Sequence, residues 1–172
     1  MIIAISGLPG SGKSAISREL AKRLKLKRFS WGELLKKEIK KTKVNKLFLS
    51  KLVHDNKKLN SLIDNKIKKL IKRRKNYILD SRLSSKLAKA DFYIYLFAPQ
   101  SVRAGRIAGR DGLSYKQALK EIKLREKLEM EQYRKQYNFD YTNKRHYNIL
   151  INTGKKKSAS YYAKEILSKI KT

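Results

Sequence analysis

One segment near the start of this sequence restricts the possible folds more than any other. Residues 1–6 are mostly apolar and end in a glycine-rich turn, and residues 14–25 then place Ile16, Leu20 and Leu24 at helical spacing. A short apolar run before such a turn is typical of a buried parallel strand. The sequence therefore predicts a strand, a glycine-rich loop and a helix in direct succession.

The loop in this unit matches the pattern G-x-x-x-x-G-K-[ST] at Gly7, Gly12, Lys13 and Ser14. Glycines let several backbone N–H groups point inward at phosphate oxygens, and the helix N-terminus adds its positive end. The lysine of such a loop reaches the β- and γ-phosphates, and the hydroxyl can bind Mg²⁺. We predict that ATP binds the whole loop, which consists of Gly7, Leu8, Pro9, Gly10, Ser11, Gly12, Lys13 and Ser14.

The rest of the chain continues the alternation of strands and helices. Strand-like segments are found at residues 27–30, 76–80, 92–97 and 147–152. Helical patterns cover residues 31–74, with breaks near 43–45 and 56–60, and then 101–108, 114–134 and 158–170. This order predicts an α/β fold with a parallel sheet covered by helices on both faces. A length of 172 residues suits a single domain over residues 1–172.

The phosphate loop does not by itself name the second substrate, because GTPases, ATPases and small kinases share it. The short chain and the lack of an N-K-x-D guanine motif favour a small kinase. Such an enzyme must bind a second anion, and arginine suits this because its planar guanidinium binds phosphate through two N–H groups. Arg82 follows a predicted strand, at the edge where open α/β sheets bind ligands. Asp80 is a candidate for binding Mg²⁺ through water or for orienting Arg82.

Two later segments carry further candidates. Residues 103–112 combine glycines with Arg103, Arg106 and Arg110, which indicates either a mobile lid over the phosphates or a solvated helix face. Arg125 and Glu129 are four residues apart and therefore share one face of the next helix. That spacing fits an ordinary salt bridge, and it also fits a pair of groups that bind a base edge and a phosphate.

The net charge of +30, from 44 Lys and Arg against 14 Asp and Glu, attracts polyanions. Lysines are spread along the whole chain, so compositional bias explains this charge as well as a nucleic-acid surface does. An RNA-binding ATPase is therefore kept as an alternative that is not favoured. The longest apolar run, residues 92–99, is too short to cross a bilayer, and there are no cysteines. We expect a cytoplasmic monomer without membrane association.

Together these motifs resemble those of the archaeal-type cytidylate kinases, within the nucleoside monophosphate kinase family. The likeness spans nearly the whole chain and rests on the phosphate loop and on residues 29–34, 60–64, 79–83, 102–111, 125–140 and 148–153. It implies a three-layer P-loop kinase fold with five parallel strands, an inserted helical region for the monophosphate at residues 31–74, and a lid at 103–112. It also implies phosphoryl transfer from ATP to CMP or dCMP, giving ADP and CDP or dCDP.

The resemblance also implies roles for single residues. Four side chains would stabilise the transferring phosphoryl group, namely Lys13, Arg82, Arg106 and Arg110. The acceptor would be bound by Ser30, Lys36, Asp64, Asp80, Arg82, Arg125 and Glu129. Arg82 would bind the phosphate of the acceptor, and the Glu129 carboxylate would accept a hydrogen bond from the cytosine amino group. Mg²⁺ would lie near Ser14 and Asp80.

Three positions depart from the family pattern. Lys36 and Gln132 stand where the family usually carries arginine, and the usual Glu-Gly-Arg or Asp-Gly-Arg is replaced by Asp80-Ser81-Arg82. A lysine keeps the charge of an arginine but loses its planar fork. These changes concern the acceptor rather than the triphosphate. A kinase for another nucleoside monophosphate or for a small molecule such as shikimate is therefore the alternative within the same class.

Overall fold

The computed structural model describes residues 1–40 and 56–170. The strands of this part are β1 (Ile2–Gly7), β2 (Lys27–Ser30), β3 (Tyr77–Asp80), β4 (Phe92–Phe97) and β5 (Ile149–Asn152). The helices are α1 (Lys13–Leu24), α2 (Trp31–Lys40), α3 (Lys57–Ile71), α4 (Ser84–Leu87), α5 (Gln100–Asp111), α6 (Tyr115–Tyr137) and α7 (Ala159–Ile170). A short 3-10 helix, Lys144–His146, precedes β5.

The five strands form one parallel sheet in the order β2-β3-β1-β4-β5. The register places both Ile5 of β1 and Ser30 of β2 beside Asp80 of β3. The carboxyl ends of these three strands therefore meet at one edge of the sheet, next to the loop that follows β1. The predicted α/β class and the predicted parallel sheet are both confirmed.

Helices cover both faces because successive strand residues point to opposite sides. Ile78 of β3 and its neighbours pack with α1 and α7, which contribute Leu20 and Ile166 to this side of the core. The next residue of β3, Leu79, points to the other side and packs with Ile63 of α3 and with α2. A separate group of tyrosines packs between this second face and α6: Tyr95, Tyr133, Tyr141 and Tyr147.

Local signals explain several element boundaries. Ser114 caps α6 through a capping box with Gln117, as a serine before a helical pattern predicts. That helix continues to Tyr137, beyond the predicted end at 134, and stops at Asn138 in the left-handed region. The side chain of Asn56 caps α3, so a helix begins at Lys57 and residues 57–60 of the predicted break are helical. The break predicted near 43–45 lies outside the described residues.

Two features of the fold were not predicted. The helix α4 has only four residues, which is too short to show a helical period. The strand β5 begins at Ile149 rather than at residue 147, because Tyr147 still caps the 3-10 helix, with its N–H donating to the Lys144 carbonyl at 3.1 Å. Among the helices in residues 1–40 and 56–170, none is both long and apolar enough to cross a bilayer.

Candidate active site

The loop between β1 and α1 is held against β4 and α5. The Leu8 N–H donates to the Leu96 carbonyl at 3.3 Å, and the Ser11 N–H donates back to the Leu8 carbonyl at 3.1 Å. Gly10 has a φ of 77°, and a Cβ added there would lie 2.8 Å from the Arg103 carbonyl oxygen. The path of the loop therefore requires glycine at this position, both for its backbone angle and for its space.

Gly10→Ala should cost more free energy of unfolding than Gly12→Ala. Gly12 has a similar φ of 86°, but an added Cβ there meets nothing closer than Ile16 Cδ1 at 3.5 Å. Gly12→Ala should therefore cost about 1–2 kcal/mol, the penalty for the left-handed backbone alone. Gly10→Ala also has to displace the backbone of Arg103. Urea denaturation of both variants measures the difference, and equal losses would show that the contact with α5 does not constrain the loop.

Lys13, the first residue of α1, forms a close ion pair with Asp80 at the end of β3. The Asp80 side chain is completely buried, and that of Lys13 is 15% exposed. The second oxygen of Asp80 accepts hydrogen bonds from Ser17 Oγ at 3.0 Å and from Arg28 Nη2 at 2.5 Å. Asp80 is therefore contacted by two cations. Asp80 was also a candidate for orienting Arg82, but Arg82 pairs with Glu129 instead.

The charges of this group are set by opposing effects. Burial raises the pKa of Asp80, but Lys13 and Arg28 outweigh it together and lower the pKa to about 2. Burial also lowers the pKa of Lys13, and the attraction of Asp80 opposes that change. The Asp80 carboxylate is therefore ionised at neutral pH and provides the counter-charge for the lysine of the phosphate loop.

A second charged cluster lies beside the first and consists of Arg82, Arg125 and Glu129; we call it the acceptor cluster. Arg82 Nε lies 2.8 Å from Glu129 Oε2, an ion pair whose N–H does not point along a hydrogen bond. Glu129 Oε1 accepts a hydrogen bond from Arg125 Nε at 2.9 Å. The arginine after β3 and the charged face of α6, which the sequence indicated separately, therefore meet around one carboxylate.

The arginines predicted for the lid differ in their surroundings. Arg103 is buried, donates to the carbonyls of Ala98 at 2.9 Å and Pro9 at 3.0 Å, and pairs with Glu126. Arg106 donates to the Thr153 carbonyl at 2.5 Å, and the Thr153 hydroxyl donates to the Ser11 carbonyl at 2.8 Å. The beginning of the predicted lid is therefore attached to the phosphate loop.

Arg110 lies at the exposed end of α5, with 61% of its side chain accessible. Its guanidinium donates two hydrogen bonds to the neighbouring Asp111, at 2.8 and 2.5 Å. A hydrogen bond from Arg110 is the main reason that the pKa of Asp111 is lowered, and Lys36 and Arg125 contribute smaller attractions. Lys36 of α2 and Arg125 of the acceptor cluster therefore both lie within electrostatic reach of the lid end.

Asp64 of α3 is buried and connects three elements. It accepts hydrogen bonds from Trp31 Nε1 of α2 at 2.9 Å and from the Tyr137 hydroxyl at the end of α6 at 2.5 Å. Burial raises the pKa of this carboxyl group, and the two donors oppose the rise. Ser30, also buried, lies beside Asp80 in the sheet. The structure thus places Asp64 where α2 and α3 meet α6.

Sequence reasoning missed several residues of this site, and Arg28 is the main one. Its side chain contacts Asp80, Ser17 and Glu33 and is 9% exposed. A signal was present, because β2 alternates and therefore places Arg28 on the same face as Ser30. Four other residues contact the site without a predicted role. Ser17 donates to Asp80, Glu126 accepts from Arg103, Tyr137 donates to Asp64, and Thr153 donates to the Ser11 carbonyl. The last three lie in segments that carry the family resemblance, but no role was predicted for their side chains.

This arrangement defines the chain as a P-loop kinase by fold, and solved structures agree. The shikimate kinase from Acinetobacter baumannii, solved with shikimate, has a TM-score of 0.64 at 16% identity and covers 98% of this chain and 92% of that chain. The deoxyadenosine kinase from M. mycoides, solved with dATP, has a TM-score of 0.56 at 19% identity over 100% of both chains. An uncharacterised protein from Eubacterium ventriosum has a TM-score of 0.75 at 20% identity, covering 100% of this chain and 99% of that chain.

Sequence comparison identifies the family. The pattern of the cytidylate kinase-like family matches residues 2–155. The cytidylate kinase of Saccharolobus islandicus is 36% identical over 155 residues, which cover 89% of this chain and 82% of that protein. The cytidylate kinase of Ignicoccus hospitalis is 36% identical over 154 residues, which cover 88% and 89%. The chain belongs to the cytidylate kinase-like family.

Proposed function

We propose that this chain transfers the γ-phosphoryl group of ATP to CMP, and also to dCMP, giving ADP and CDP or dCDP. The observation that carries the proposal is the position of two charged sites at the ends of neighbouring strands. Lys13 follows the loop after β1, and Arg82 follows β3, which pairs with β1. One site suits a triphosphate and the other a second phosphate. Membership of the family supports cytidylate as the acceptor.

The donor half of the site is the phosphate loop, residues 7–14. Its backbone N–H groups and the N-terminus of α1 would bind the β- and γ-phosphates, and Lys13 would contact the oxygen that bridges them and the γ-phosphoryl group. Arg106 already donates to Gly10 at 3.4 Å, so it lies beside this loop. Arg106 and Arg110 would stabilise negative charge on the transferring group once α5 is closed over it.

The acceptor half is the acceptor cluster together with its surroundings. Arg82 would bind the CMP phosphate, and Glu129 would accept a hydrogen bond from the cytosine amino group, for which it would exchange part of its contact with the arginines. Four further residues would complete the acceptor site: Ser30, Lys36, Asp64 and Asp80. Because Gln132 is buried and its amide nitrogen has no hydrogen-bond partner within residues 1–40 and 56–170, the departure from the family arginine leaves a donor near this site.

The reaction needs positioning and charge stabilisation rather than a strong base, because the acceptor phosphate is already an anion. An oxygen of the CMP phosphate would attack the γ-phosphorus in line, while the bond from that phosphorus to the ADP oxygen breaks. Lys13 would stabilise charge on the leaving side and Arg82 on the attacking side. Closure of the lid would exclude water and so suppress hydrolysis of ATP.

The Mg²⁺ that a kinase fold implies would have few protein ligands here. Within residues 1–40 and 56–170, no group of three His, Cys, Asp or Glu side chains could enclose a metal. Ser14 is exposed next to Lys13, and both oxygens of Asp80 already contact protein groups. This donor set fits an ion bound mainly by phosphates and water, with Ser14 as a direct ligand and Asp80 acting through water. When bound, Mg²⁺ would neutralise charge on the β- and γ-phosphates.

An acceptor panel tests the proposal. We expect CMP and dCMP to be phosphorylated far faster than UMP, AMP or shikimate, because only cytosine offers an amino group to Glu129 at that position of a pyrimidine. The measurement is the rate of ADP release with Mg·ATP, followed through a coupled enzymatic oxidation. The Lys13→Met variant serves as the inactive control. A flat profile, or one led by AMP or shikimate, would contradict cytidylate as the acceptor.

The same assay separates the RNA-binding ATPase considered from the net charge. That function requires ADP release that RNA stimulates and CMP does not, together with RNA binding that weakens as salt rises.

We also propose that the chain acts as a monomer, because its own residues supply both halves of the site, and that it acts in the cytoplasm. The molar mass in solution, measured by light scattering, tests the monomeric state.

A further inference from the structure

Two cations from different elements share the Asp80 carboxylate, and only one of them belongs to the phosphate loop. Lys13 contacts Oδ1, while Arg28 of β2 donates to Oδ2 at 2.5 Å. The carboxylate has no exposure to solvent, so protein groups must supply all of its compensation. The electrostatic compensation of this carboxylate therefore depends on how firmly each of the two cations is held.

Arg28 is held much more firmly than Lys13. Its Nε donates to Ser17 Oγ at 2.7 Å, and its Nη1 donates to Glu33 Oε2 at 2.8 Å, so all three guanidinium nitrogens are engaged. Lys13, in contrast, is a single ammonium on a flexible four-carbon stem. The planar fork of Arg28 is thus fixed against Asp80 by neighbours on α1 and α2, whereas the lysine is able to turn away.

Binding of ATP requires this turn, because the loop lysine has to contact phosphate oxygens. If Lys13 were the only cation at Asp80, its departure would leave a buried carboxylate uncompensated, which is strongly unfavourable. We propose that Arg28 is a positioning residue that keeps Asp80 compensated when Lys13 moves, and that it thereby frees Lys13 for the triphosphate. This inference rests on the proposed ATP-dependent function.

The proposal predicts how two substitutions depend on each other. In Arg28→Met, Asp80 retains Lys13 as its cation, so the lysine is bound more tightly and ATP has to compete for it. In Asp80→Asn, no carboxylate competes for Lys13, so the loss of Arg28 should hardly matter to ATP. A residue that merely supports the fold of β2 would instead weaken ATP binding equally in both backgrounds.

The experiment is a double-mutant cycle of ATP affinity, measured by calorimetry on the full chain. EDTA is present, so that Asp80→Asn cannot act through a metal ion. We expect Arg28→Met to weaken ATP binding about tenfold in the wild-type background and less than about threefold in the Asp80→Asn background, a coupling of the size found for residues in contact. Equal losses in the two backgrounds, or no loss in either, would overturn the proposal.

Two further variants control for folding. Arg18→Met removes another arginine, which donates to the Glu33 carboxylate at 2.8 Å rather than to Asp80, and it should leave ATP affinity unchanged. Arg28→Lys keeps a cation beside Asp80 and should retain most of the affinity; if Arg28→Met fails to fold, Arg28→Gln takes its place in the cycle. Because ATP binding is measured without CMP, a wild-type chain that binds ATP but does not phosphorylate CMP would contradict only the proposed function.

Discussion

Lys13→Met should lower kcat for CMP phosphorylation by about 10³-fold, the scale seen when a group that stabilises the transition state is removed. The ammonium is the charged side chain of the phosphate loop. It would attract the negative charge on the γ-phosphoryl group, and methionine carries no charge with which to do so. The fold should persist, because Asp80 keeps the hydrogen bonds from Arg28 and Ser17 after the lysine is gone. The coupled ADP assay measures the rate, and circular dichroism checks the fold.

The matched control is Lys22→Met, which removes an exposed lysine from the last turn of the same helix. This variant should keep wild-type kcat, so that any loss in Lys13→Met cannot be ascribed to the net charge of +30. Turnover of CMP by Lys13→Met at a rate near that of the wild type would remove Lys13 from the mechanism.

Arg82→Met should lower kcat/KM for CMP by about 10²- to 10³-fold and leave the affinity for ATP nearly unchanged. Its guanidinium is the group of the acceptor cluster that would bind the CMP phosphate. The cluster should survive its removal, because Glu129 still accepts a hydrogen bond from Arg125 at 2.9 Å. The kcat/KM of Arg82→Lys for CMP should lie between those of the wild type and Arg82→Met, since lysine keeps the charge and loses the planar fork.

Steady-state kinetics with each substrate varied in turn gives both constants. The control is Arg134→Met on α6, where the arginine is 62% exposed and pairs with Asp140 at 3.4 Å, so its loss should change neither constant. A loss of ATP affinity as large as the loss for CMP would place Arg82 on the donor side and contradict the division of the site into two halves.

The phosphate loop and the parallel sheet could be predicted because their signals are local. Gly7 to Ser14 are eight consecutive residues that form one recognisable motif. Alternation of strands and helices leads to a parallel sheet by general rules. The position of Asp80 and Arg82 at a strand end also follows from that order. What does not follow is the partner of each side chain, since Asp80 pairs with Lys13 and Arg28, and Arg82 pairs with Glu129.

Arg103 shows why the partners were out of reach. Its spacing from Arg106 and Arg110 suits an arginine that faces phosphate, yet it donates to two backbone carbonyls and is buried. Spacing along a helix fixes which residues share a face but not how that face is turned toward the loop. That rotation is set by the packing of α5 on α6, through residues such as Ile107 and Ile122. The roles of the lid arginines therefore stay predictions.

The attachment of Arg103 to Pro9 restricts which part of the predicted lid could move. Because Arg103 ties the first turn of α5 to the phosphate loop, a closing motion would have to begin beyond it, toward Gly112 and the start of α6. The 23 residues of α6 form one continuous helix that begins next to the predicted lid and carries Glu129 along its length. At its other end, Tyr137 is bound to Asp64. If α6 moves as one rigid helix, closure over the donor and binding of the acceptor would be a single equilibrium, in which each nucleotide would raise the affinity for the other.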